Sequence, residues 1–261
     1  MKEELPVLHI VEHDNEEPLQ TEQSANSLFK FVNQAEFLYN MLRNKAVIPR
    51  YYGENVEYLD IGHKTIWYPM ACFCDINIHR VYKHADFYGN FGIAFSKKWG
   101  LSRGIQPVQY INNESLLCKD LSTAFYYSIN AEDNLASDYL LSQMLFIKPV
   151  QGKMPRNDKE VQKNFTDECE WRFVPYVSSI GLPLAVTEEN APCVGNLNIT
   201  LERTNACWLN FEYSEIKYII LPSEEWIDGL IEVVDGLGLQ EGEIRRLFSK
   251  ILFINNAKED F

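Results

Sequence analysis

The chain has 261 residues, with 24 Lys and Arg against 37 Asp and Glu, 46% hydrophobic residues and 13% aromatics. That composition supports a sizeable core and excludes a wholly disordered, collagenous or coiled-coil chain. The formal net charge of −13 argues against general binding to nucleic-acid backbones or anionic membranes. No apolar run is long enough to cross a bilayer, and the first residues lack the basic start and apolar stretch of an export signal. A cytoplasmic protein with six reduced cysteines is the resulting expectation.

Residues 1–27 carry seven acids and one lysine and read as a flexible acidic arm, within which 5–11 has the composition of a short edge strand. Residues 28–261 read as a single domain. Residues 28–32 alternate like a strand. Asn33 and Glu36 have the spacing of a capping box for a helix over 34–44. In that helix Phe37, Leu38, Met41 and Leu42 form one stripe, and Asn44 supplies a left-handed stop. Residues 47–52 lead into an irregular aromatic loop. Residues 67–74 follow as a strand, then a helical segment over 77–87, a turn over 88–92 and a buried strand over 93–95. Ser96 caps a short helix through Trp99, and residues 107–111 form another strand. Residues 113–147 are mostly helical with a break near 130–134, and 148–166 read as a polar loop. Residues 168–175 alternate as a strand. Residues 178–210 are rich in loops, with short strands near 182–186 and 198–201. A buried strand over 216–221 leads to a helix capped by Ser223 and running to Asp235; a helix over 241–248 and a strand over 251–254 close the chain. Short strands interleaved with helices predict an α+β fold with a mixed, mostly antiparallel sheet and flanking helices.

Three segments carry side chains with chemistry. On a strand, Glu168, Glu170 and Arg172 share a face opposite Cys169, Trp171 and Phe173. That pattern fits a half-exposed strand. It also fits a carboxylate pair aimed into a cleft, one oxygen pair stabilising an oxocarbenium charge and the other acting as base. Cys72 and Cys74, followed by His79 and His84, suggest a zinc site. Their spacing is wrong for a knuckle, and alternation buries both thiols on one strand face, so no metal is expected. Tyr88-Gly-Asn-Phe-Gly92 and Ser96 precede Lys97, Lys98 and Arg103. The glycines suit a tight turn or a close backbone approach to a ligand, and the cations make a local basic patch.

These segments, taken in order, resemble the AbiGi family of abortive-infection, phage-resistance proteins. The resemblance rests on residues 28–32 with the following helix, Ile48-Pro-Arg-Tyr51, Pro69-Met-Ala-Cys-Phe-Cys-Asp75, residues 88–100, Gly104-Ile-Gln-Pro-Val-Gln-Tyr-Ile111, Glu168-Cys-Glu-Trp-Arg172, and residues 216–222. It implies a bacterial defence protein, the antitoxin or regulatory half of a pair whose toxin is nucleotidyltransferase-like. A cognate toxin or a phage protein is then the partner. The chain is more distantly similar to ADP-ribosyltransferase-like folds, which implies an alternative: an NAD-dependent transferase with Glu170 and Glu168 catalytic, and Lys30, Tyr88, Ser96 and Arg172 on the cofactor. On that alternative the strand over 28–32 lies near Glu168 and Glu170 in one sheet, with Lys30 and Glu170 facing one pocket.

Overall fold

The fold is taken from a computed structural model that describes residues 24–129, 134–156 and 159–260. Its strands are β1 Ser27–Val32, β2 Ala46–Val47, β3 Arg50–Asn55, β4 Thr65–Cys74, β5 Phe91–Ser96, β6 Gln106–Pro107, β7 Gln109–Ile111, β8 Ile147–Pro149, β9 Gln151–Arg156, β10 Lys159–Asn164, β11 Glu170–Phe173, β12 Leu209–Asn210, β13 Ile216–Leu221 and β14 Ile251–Phe253. The α-helices are α1 Ala35–Asn44, α2 Val81–Tyr88, α3 Lys97–Ser102, α4 Leu116–Ile129, α5 Asn134–Met144, α6 Val194–Arg203, α7 Ile227–Asp235, α8 Glu241–Phe248 and α9 Ile254–Asp260. Eight strands form the main sheet in the order β14-β13-β5-β1-β4-β11-β6, with β3 also paired to β4. Within it the β13–β14 pair is parallel and the other pairings are antiparallel, so the expected mixed α+β fold is the observed one.

Period-2 alternation divides the core. Leu28, Phe73, Ile93, Phe95, Ile219 and Leu221 point to one face, where α1, α7 and α8 bury Leu38, Leu42, Leu230, Val234 and Leu247. Phe29, Phe31, Cys74, Ala94 and Ile220 point to the other, against Val81 and Ala85 of α2 and Ile254. Farther along β4, Ile66, Tyr68 and Met70 pack under α4 and α5 through Cys118, Phe125 and Met144. Gly89 and Gly92 serve the close approach expected of them, but toward the protein's own first strand. A Cβ at Gly89, whose φ is +123°, would lie 2.1 Å from the Val32 carbonyl oxygen, and one at Gly92 would lie 2.7 Å from that of Lys30.

Several sequence expectations need correction. Helix α1 starts one residue late: Gln34 is its N-cap without a side-chain bond, and Glu36 turns to Arg43 at 2.6 Å instead of closing a capping box with Asn33. Lys45, with φ 48°, takes the left-handed position expected of Asn44. The aromatic loop after Val47 is strand β3, drawn straight by six pairings to β4. Much of the polar stretch over 148–166 is strand, with β9 and β10 forming a hairpin whose ladder compensates for its low hydrophobicity. Residues 198–201 are helical, because Val194, Leu197 and Leu201 share one stripe that packs with Tyr51 and Val186. Ser223 makes no capping bond; the 3-10 turn Glu224–Trp226 intervenes before α7. Ser96 does cap α3, accepting from the Trp99 amide at 3.1 Å. The arm's segment over 5–11 and the helix break at 130–133 lie outside the described residues.

Candidate functional site: a buried ion network

Strand β11 starts at Glu170, not Glu168. Residues Phe165–Glu168 form a 3-10 turn, and Cys169 then adopts a left-handed φ of 42°. The two carboxylates therefore leave different elements. From Glu170 on, alternation holds: Glu170 and Arg172 oppose Cys74 and Cys72 on one face, while Trp171 and Phe173 pack into the core on the other. The backbone of Glu170 is pinned as well, its N–H donating to the Tyr110 hydroxyl at 2.8 Å and its carbonyl accepting from Val108 at 3.0 Å.

Around this strand the fold gathers six charged side chains. Lys148 of β8 places its ammonium 2.7 Å from Glu168 Oε2 and 2.7 Å from Glu170 Oε2. Arg172 donates through Nε to Glu170 Oε1 at 2.7 Å and through Nη1 to the Leu145 carbonyl at 2.8 Å, and its Nη2 lies 3.1 Å from Glu54 on β3. Lys163 of β10 reaches Glu168 Oε1 at 3.0 Å and donates to the Tyr88 hydroxyl at 2.7 Å. Tyr88 in turn donates to Glu168 Oε1. The Lys163 ammonium also stands 3.6 Å and 4.1 Å from the ring centroids of Phe87 and Tyr88, a cation–π contact with both. Glu168, Glu170, Lys148 and Arg172 are all buried, Arg172 at 0% exposure.

Three acids and three bases sum to zero charge, which is how a desolvated network stays ionised. Burial acts to raise the Glu170 carboxyl, but Arg172 and Lys148 outweigh it and hold the group well below the usual carboxylate range. Burial likewise opposes the charge of Lys148, and Glu170, Glu54 and Glu168 overcome it to push its pKa up. His84, its ring tilted against Tyr88 with centroids 4.4 Å apart, is neutral: burial, then Lys163, bring it down to about 4.

The six site residues named from sequence divide between the network and other places. Glu168, Glu170, Tyr88 and Arg172 come together in the network. Ser96 is occupied as a helix cap. Lys30 aligns with Ile93 on β5. The Lys30 ammonium lies 5.8 Å from the Tyr52 ring centroid. Strands β1 and β11 lie in one sheet, either side of β4. The basic patch is compensated: Lys97 pairs with Asp75 at 2.6 Å and Arg103 with Glu215 at 3.3 Å. Cys74 is buried and Cys72 half-buried on β4, and burial raises both thiols. No cluster of metal-ligating side chains is found among the described residues.

Lys148, Lys163 and Glu54 were not singled out in the sequence. Lys148 was detectable in principle, as a lone cation inside the apolar run Leu145-Phe-Ile-Lys-Pro-Val150, where a buried lysine needs a partner. Lys163 and Glu54 lie in segments read as loops, so their facing had no period to show it.

Fold and site together define an α+β protein with a buried, charge-neutral ion network around β11. Sequence comparison places it more closely. The family described as "Putative abortive phage resistance protein AbiGi, antitoxin" matches residues 45–222. The abortive phage resistance protein AbiGi of Lactococcus lactis subsp. cremoris is 36% identical, over 83% of this chain and 100% of its own length. The chain belongs to the AbiGi family of abortive phage resistance proteins. No solved structure matches it. No helix among the described residues is long and apolar enough to cross a membrane.

Proposed function

We propose that the protein acts in abortive infection as the antitoxin or regulatory member of a pair, and that it works by binding a partner protein. The family description names an antitoxin, which supports a toxin as that partner. The observation that carries the binding reading is the saturation of the carboxylate pair. Both oxygens of Glu168 and both of Glu170 already accept from Tyr88, Lys163, Lys148 or Arg172, inside a buried network. A general base or oxocarbenium stabiliser needs an oxygen within reach of substrate. Arg172 is fully buried and committed to Glu170, Glu54 and the Leu145 carbonyl, away from any cofactor phosphate in solution. NAD-dependent transfer is thus the less supported reading.

Co-expression tests the proposal. Cells carrying the nucleotidyltransferase-like toxin should stop growing, and should recover when this protein is expressed with it. Labelled NAD incubated with the purified protein should yield neither transferred label nor free nicotinamide. Failure of growth rescue would refute the antitoxin role; label transfer lost in Glu170→Gln would restore the enzyme.

A further inference from the structure

At one edge of the main sheet, β14 pairs with β13 alone among the described residues. The Lys250 carbonyl accepts from the Ile219 amide across that pair at 2.9 Å. Backbone groups alternate sides along a strand, so the N–H and C=O of Ile251 and the N–H of Phe253 point away from β13 toward the open edge, while the Phe253 carbonyl opens helix α9. Beside them lies a groove of about 390 Å³ lined by Ile227, Ile231, Phe248, Ile251 and Phe253, with no charged side chain. Helix α9 does not cover it. Ile254 passes into the core on the opposite sheet face, and Lys258 ties α9 to Asp86 on α2. Natural proteins blunt a sheet edge with lysine, proline, a covering element or a short strand; β14, Ile-Leu-Phe, is short but carries neither lysine nor proline.

The rim has a sign. Asp228 and Asp235 stand on α7 next to the Ile227/Ile231 stripe, preceded by Glu224 and Glu225, and all four acids are exposed. None of them is drawn into an ion pair among the described residues. Of the nearby cations, Arg245 pairs with Glu241 and Lys250 donates to the Tyr213 and Ser214 carbonyls, leaving Arg246 against the four acids. A second copy of this chain, paired edge to edge about a two-fold axis, would bring these acids toward their own equivalents.

We infer that the β14 edge receives an extended segment of a partner protein, apolar on alternate residues and flanked by Lys or Arg, which adds as a further strand and sets its apolar side chains in the groove. Backbone pairing to Ile251 and Phe253 supplies the register. The groove selects apolar side chains at every second position, and the acidic rim selects basic flanks. That this partner is the toxin rests on the antitoxin reading; the surface itself does not.

A synthetic peptide of alternating valine and threonine with paired lysines at each end, titrated by fluorescence anisotropy into the full chain, tests this. It should bind about tenfold more tightly than the same peptide with glutamates at its ends, and the preference should shrink with salt. Ile231→Asp, at a position already 38% exposed, and the pair Asp228→Lys with Asp235→Lys should each lose about tenfold in affinity without a change in melting temperature. Equal binding of both peptides, or unaltered binding by both variants, overturns the inference. So does a homodimer in sedimentation equilibrium that Ile231→Asp dissociates. If these variants bind no peptide yet still rescue toxin-arrested cells, the toxin docks elsewhere and the antitoxin reading stands. If wild type binds the peptide but rescues no cells, that reading falls and the strand-binding edge remains.

Discussion

Replacing Glu170 with Gln removes one negative charge from a neutral network while keeping the side chain's shape. Lys148 keeps Glu168 at 2.7 Å and Arg172 keeps Glu54 at 3.1 Å, but each loses a charged partner, and an enclosed net charge of +1 remains. Breaking one member of a buried pair costs ~3–5 kcal/mol. For a chain of this size each kcal/mol lowers the melting temperature by about 2–4 °C, so a drop of roughly 6–20 °C is expected. That is a large share of the ~5–15 kcal/mol by which proteins are stable, so phage protection should fall in parallel. The acid limb supplies an independent sign. A carboxyl held below its unfolded value of about 4.3 contributes stability that is full above that pH and lost as pH falls further. Wild type should therefore lose more stability than Glu170→Gln on acidification below about pH 4. Thermal melts across pH, with plaque counts on the same variant, make the measurement. An unchanged melting temperature with lost protection would refute the structural role and make Glu170 a functional group in its own right. No change in either would show that the network contributes nothing.

Two further perturbations have equally direct readouts. His84 is down to about 4 against ~6.5 when unfolded, so the unfolded state takes up the proton first and stability should decline as pH falls through that interval. His84→Phe should flatten the melting temperature between pH 7 and pH 5, and a slope equal to wild type would count against a buried neutral imidazole. Gly89→Ala forces a Cβ to 2.1 Å from the Val32 oxygen at a φ of +123° and should abolish soluble expression or cost ~3 kcal/mol or more. Gly242→Ala, with open space around it on α8, should be neutral or stabilising by ~0.5–1 kcal/mol; similar losses in both would refute the close-approach argument.

What the sequence made legible follows where a period was strong. β1 was recognisable from its alternation, α1 and α8 from their 3.6-residue patterning, and β4 and β13 as apolar runs buried on both faces. The β9–β10 hairpin was not, since Gln, Lys, Asn and Glu fill most of β10, Gly152 and Pro155 interrupt β9, and only Met154 facing Val161 marks a side. α6 was lost for the opposite reason. Asn196, Asn198 and Thr200 are weak helix formers, and tertiary packing of Leu197 and Leu201 overrides them. The Glu-x-Glu motif was visible, and its facing at Glu170 and Arg172 was right. Its meaning was not in the motif, because the side chains that neutralise it come from β3, β8 and β10, which only the fold brings around β11. A carboxylate pair is the same in sequence whether its oxygens face a substrate or two lysines.

Lys148 separates those two meanings. It bridges Glu168 and Glu170 at 2.7 Å each, so Lys148→Met alone leaves two buried carboxylates with less cationic charge between them and should be as damaging as Glu170→Gln. Combining the two removes one charge of each sign. Glu168 still has Tyr88 and Lys163, Arg172 still has Glu54, and the network returns to zero net charge. The double variant should then be more stable than the sum of the single losses predicts, by a coupling energy on the order of 0.5–3 kcal/mol. Phage protection should recover with stability, because in a binding protein the network serves to hold β8, β11 and the β9–β10 hairpin together. An enzyme forecasts otherwise: Gln at position 170 cannot stabilise a positive charge whatever stands opposite it, so stability would return and protection would not. Strict additivity of the two losses would refute direct coupling between Lys148 and Glu170, and recovery of melting temperature without recovery of protection would refute the binding reading.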